Sequence, residues 1–111
     1  MPRYLACYDI KDTTPDPHST LLALAREHNW NEYIRVDTGH WNRLPNTTLQ
    51  GVFPTKEAAS VAFRKLVLAT GRKIKVKVVV EKVAIMRTTG EGFVKSDKKL
   101  SRAEQILRNL R

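Results

Sequence analysis

The chain of 111 residues holds one cysteine, two tryptophans, three tyrosines, three phenylalanines and five glycines. A single thiol excludes an internal disulfide and any paired-cysteine zinc motif, so Cys7 reads as a small buried residue of a reducing compartment. No apolar run approaches the ~20 residues that span a bilayer. The few apolar residues before Asp9 also fall short of a signal peptide, and the expectation is a cytoplasmic protein with no membrane partner. No glycine-rich loop precedes a helix start, which excludes nucleotide hydrolysis of the phosphate-loop kind. The three histidines, His18, His28 and His40, are scattered and offer no acid–base pair.

Acidic residues are the other scarcity. Eleven Asp and Glu face twenty Lys and Arg, for a net charge of +9. The excess is uneven: residues 1–63 carry net −1, residues 64–82 net +6 and residues 83–111 net +4. Such asymmetry points to a polyanionic partner, RNA or DNA first. At 41% apolar residues and without a low-complexity tract, the chain has material for one modest core.

Within Tyr4 to Asp12, a buried first strand ends in the carboxylate of Asp9, with a second carboxylate, Asp12, shortly after and then a loop. Carboxylates there are either solvated turn formers or groups placed for metal and phosphate chemistry. Asp16 as cap and Pro17 as first helical residue open a helix over roughly 17–29, closed by Asn29 in a left-handed conformation. Alternation from Glu32 to Thr38 sets Ile34, Val36 and Thr38 on one side and Tyr33, Arg35 and Asp37 on the other, which predicts a half-buried strand. It pairs with a strand over Thr47–Phe53 through a long tip containing Trp41 and Arg43, an aromatic and a cation suited either to stack on an unpaired base or to pack within the protein.

Thr55 caps a second helix whose buried stripe is Ala59, Ala62, Phe63 and Leu66, with Gly71 as its C-terminal stop. Lys73 to Val80 then alternates strictly, predicting a strand with Ile74, Val76, Val78 and Val80 inward and Lys75 and Lys77 on the opposite, open face. The phase slips at Glu81–Lys82, as a β-bulge or a break into a short fifth strand requires. Residues 87–99 read as a polar, mobile stretch. Ser101 and Glu104 form a capping box for a last helix with Ala103, Ile106, Leu107 and Leu110 on one side and Arg102, Arg108 and Arg111 on the other.

The element order predicts an α+β protein: a ferredoxin-like βαββαβ plait over 1–86, its four-stranded antiparallel sheet covered by two helices on one face. Residues 87–111 form a basic C-terminal extension with a short strand and helix. The uncovered sheet face invites a homodimer or nucleic acid, and the last helix offers a surface to a protein partner.

Tyr8-Asp9-Ile10-Lys11-Asp12 resembles the start of the small CRISPR-associated nucleases of ferredoxin fold, a group with further likeness to the VapD and GhoS ribonucleases. The resemblance implies that Asp9 is a catalytic, metal-binding residue, that Asp12 is a second, less required carboxylate, and that two copies face each other. The resulting expectation is a metal-dependent endonuclease, on RNA before DNA, using Mg²⁺ or Mn²⁺, which favour carboxylate and water oxygens. Arg72, Lys73, Lys75 and Lys77, with Trp41 and Arg43, would hold the nucleic acid. The alternative is a non-catalytic module that binds nucleic acid or protein.

Overall fold

The computed structural model describes residues 1–36, 38–89 and 91–109. Asp37, Leu110 and Arg111, and the side chain of Arg108, lie outside the described residues, as do the expectations placed on them. The fold is α+β. Its elements are β1 (Arg3–Ile10), α1 (Pro17–Ala25) with a 3₁₀ turn (Arg26–His28), β2 (Trp30–Asn31), β3 (Tyr33–Arg35), β4 (Trp41–Arg43), β5 (Thr48–Val52), α2 (Lys56–Ile74), β6 (Val80–Thr88) and α3 (Arg102–Asn109). Four strands make an antiparallel sheet in the order β2-β5-β1-β6, and β3 and β4 make a second, two-stranded sheet.

The simple βαββαβ plait is therefore incorrect, for two local reasons. The first lies at Asn31, whose side-chain oxygen accepts from the Tyr33 amide at 2.9 Å. This short-range bond bends the chain at Glu32, so the residues just before the predicted strand join the large sheet and the predicted strand itself turns away into the small one. Trp30 and Asn31 pair with Gly51 and Gln50, whereas Tyr33–Arg35 pairs with Trp41–Arg43. The second lies after Gly71. The helix runs through this residue to Ile74 and is capped by Lys75 in the left-handed region at φ 60°. The lysine-rich segment read as a strand is thus the last helical turn and the loop after it. Its apolar residues still turn inward: Val78 is buried and Ile74 packs against the core.

The glycine that was read as the stop has another role. A Cβ on Gly71 would lie 2.9 Å from the Val76 carbonyl, because the chain folds back directly over it. Its own carbonyl accepts from the Val76 amide at 3.1 Å.

The caps form as their side chains dictate. Asp16 accepts from the His18 amide at 3.0 Å, Thr55 from Ala58 at 3.1 Å and Ser101 from Glu104 at 3.3 Å. Asn29 ends the first helical segment at φ 66°. Even-numbered residues of β1, from Tyr4 to Ile10, pack against Leu21 and Ala25 of α1 and Ala59, Phe63, Leu66 and Val67 of α2. Trp30 is fully buried among them, its ring 4.7 Å from Phe53 and edge-on to Phe63 at 6.3 Å. Burying such side chains is worth ~1.5–3 kcal/mol each, before entropic costs.

Odd-numbered residues of β1 face the other way, so Cys7 is exposed and not buried. The register against β6 shifts between Asp9 and Ile10, which pair with Lys82 and Val80 and leave Glu81 as the bulged residue. Beyond β6 the chain returns to the small sheet. Asn42 pairs with Lys99, the Arg43 amide donates to Lys98 and the Leu100 amide to Trp41, and Leu44 and Leu100 are buried. The stretch read as mobile thus includes a segment hydrogen-bonded along β4. None of the described helices is long and apolar enough to cross a membrane.

Candidate nucleic-acid interface

The β3–β4 hairpin is short, and its register decides what it presents. Its turn is closed by the Val36 amide on the His40 carbonyl and the Gly39 amide on the Val36 carbonyl, at 2.9 and 2.8 Å. Gly39 takes φ 86° there, a conformation that suits glycine. Tyr33 then stands opposite Arg43, and Arg35 opposite Trp41. Directly opposed residues of antiparallel strands share a face. One face of the hairpin is therefore a checkerboard of two aromatics and two arginines, with the Arg43 guanidinium 6.0 Å from the Tyr33 ring centroid. Cations over aromatic faces are mutually attractive and remain able to take a phosphate on their open side.

A depression of about 460 Å³ adjoins this face. Arg35 and Trp41 line it from the hairpin, Arg3, Gln50 and Val52 from β1 and β5, Arg26 and Asn29 from the end of the first helical segment, and Trp30 from β2. Among the described residues, three arginines and no carboxylate line this space. The Nε atoms of Arg3 and Arg43 are buried without a hydrogen-bond partner among the described residues. Gln50 anchors the hairpin to the large sheet by donating from Nε2 to the Tyr33 carbonyl at 3.0 Å.

Trp41 and Arg43 are thus brought together, and the structure adds Tyr33, Arg35, Arg3 and Arg26 to them. The alternation already placed Tyr33 and Arg35 on one side of a strand. What it could not supply was the partner strand, since Thr47–Phe53 competes for the same pairing. Arg72 and Lys73 lie in the last turn of α2, and Lys75 and Lys77 in the loop beyond. All four are exposed, and the two loop lysines are not on the open sheet face.

Asp9 is exposed near the end of β1, in a depression of about 250 Å³ shared with Cys7, Thr47, Thr48 and Lys82. Lys82 is its cross-strand partner. Asp12 lies in the following loop, exposed and outside that depression. Among the described residues no three His, Cys, Asp or Glu side chains form a group able to hold a metal ion. One carboxylate opposed by an ammonium group is a poor fit for a hard divalent cation.

Burial pushes the Tyr8 phenol up to about 12, with Arg43 drawing it down and Glu32 adding to the rise. Tyr8 is therefore a neutral core residue at physiological pH. Comparison of the chain with protein-family models, with curated proteins and with solved structures finds no match.

Proposed function

We propose that this protein binds single-stranded nucleic acid on the β3–β4 hairpin and the adjoining arginine-lined depression. The observation that carries the reading is the opposition of Tyr33 to Arg43 and of Arg35 to Trp41 on one hairpin face. Single strands are held by this combination: aromatic faces take bases of any identity, and arginines take the backbone between them. The net charge of +9 supplies long-range attraction.

The test is fluorescence anisotropy with short labelled RNA and DNA strands. Trp41→Ala and Arg35→Ala should each weaken binding about tenfold, because stacking is worth ~1–3 kcal/mol per base. Replacing Lys73, Lys75 and Lys77 together by alanine should cost less. The reverse ranking would move the interface to the end of α2, and no binding by the wild type would redirect the search to protein partners.

A further inference from the structure

The depression beside the hairpin holds more positive charge than a passing strand needs. Arg35 lies at its hairpin wall, opposite Trp41. Arg3 and Arg26 line it from outside the hairpin, on β1 and at the end of the first helical segment. Arg3 is held on both sides, since it pairs with Val52 of β5 and with Thr88 of β6. It is half-buried, and its Nε is buried without an acceptor among the described residues. A buried donor is costly to leave without an acceptor, and an anion in the depression supplies one. Trp30, Gln50 and Gly51, all buried, form the inner part of the lining. The space of about 460 Å³ falls among sites for small ligands, ~300–1,000 Å³, and has room for one nucleotide.

We propose that this depression takes the end nucleotide of a strand that carries a terminal phosphate monoester. It rests on the single-strand reading above and names the part of the strand that the arginines select. An internal nucleotide brings one negative charge, on its diester. A terminal monoester adds roughly 1.5 to 2 at neutral pH, which brings the sum close to the charge of the three arginines lining the space. A monoester also offers three acceptor oxygens, more than a diester, and guanidinium groups take such oxygens in bidentate pairs. The base of the same nucleotide stacks on Trp41, which belongs both to the lining and to the aromatic face of the hairpin. The strand thus enters over Tyr33 and Arg43 and finishes in the depression. Lys73, Lys75 and Lys77 are not part of its lining.

The test is competition. An internally labelled strand is displaced, followed by anisotropy, with unlabelled strands of one sequence that end in a 5′-phosphate, in a 3′-phosphate or in hydroxyls at both ends. At least one phosphorylated strand should compete about tenfold better than the hydroxyl strand, and the better of the two gives the direction of the chain. Arg3→Gln should abolish that preference. Arg3→Lys keeps the charge and loses the planar fork, so it should retain part of it. Trp41→Ala should weaken phosphorylated and hydroxyl strands alike, by about tenfold, and leave the preference in place. Equal competition by all three strands in the wild type, or a preference that Arg3→Gln leaves intact, overturns the proposal while the single-strand reading stands. A wild type that binds no strand ends that reading, and calorimetric titration with nucleoside 5′- and 3′-monophosphates and with the nucleoside then judges the depression alone. Binding of a monophosphate that Arg3→Gln abolishes supports the site, and binding of neither monophosphate overturns it.

Discussion

Tyr8 joins burial, packing and ionisation in one side chain. Its ring lies 5.5 Å from that of Phe63 in the core, and burial raises the phenol to about 12. An unfolded phenol ionises near 10. Between those values the unfolded chain releases a proton that the folded chain keeps, so stability falls as pH rises through this window. Each unit is worth ~1.4 kcal/mol. Tyr8→Phe keeps the ring and removes the titration. In urea unfolding at pH 9 and pH 11.5 (roughly the two ends of that window), the variant should lose less stability on going alkaline than the wild type. Equal losses would show that Tyr8 does not carry the effect. At this scale the sequence was informative about caps, because a cap depends on two or three neighbouring residues. It was misleading about Cys7, because the parity of β1 depends on which face the helices cover.

Helix α2 shows what an element adds to its residues. Thr55 and the stripe of Ala59, Phe63 and Leu66 were readable from spacing alone. The end was not, since Gly71 is a plausible stop on local grounds and Lys73–Val80 alternates as a strand should. The helix continues because the chain returns over Gly71, a contact between residues five apart that no periodicity reports. Gly71→Ala should therefore destabilise the protein by ~1–2 kcal/mol in urea unfolding, although alanine is the better helix former by ~1 kcal/mol. A stabilised variant would place the return of the chain elsewhere. The hairpin carries the same lesson for the site. Tyr33, Arg35, Trp41 and Arg43 were all in view as residues, but the opposition that makes them a platform depends on the bend at Asn31.

On the scale of the molecule, the cations gather at separate places on the surface. Asp9 faces Lys82 on the open side of the sheet, the lysine cluster closes α2, and three arginines line the depression beside the hairpin. The basic character was plain in the composition, and the pairing of Tyr33–Arg35 with Trp41–Arg43, which positions the binding face, was hidden by the competing pairing with Thr47–Phe53. A single-strand interface of this kind must release counterions, and its affinity must depend on salt. The measurement that tests this most directly is the affinity for a short single strand, by anisotropy, across a salt series for wild type and Arg35→Ala/Arg43→Ala. Three or four phosphate contacts predict a log–log slope of about −2 to −3, and the double variant should be shallower by about 1.4, since each contact contributes ~0.7 on single strands. A slope near zero, or one that the double variant leaves unchanged, would contradict an interface on the hairpin.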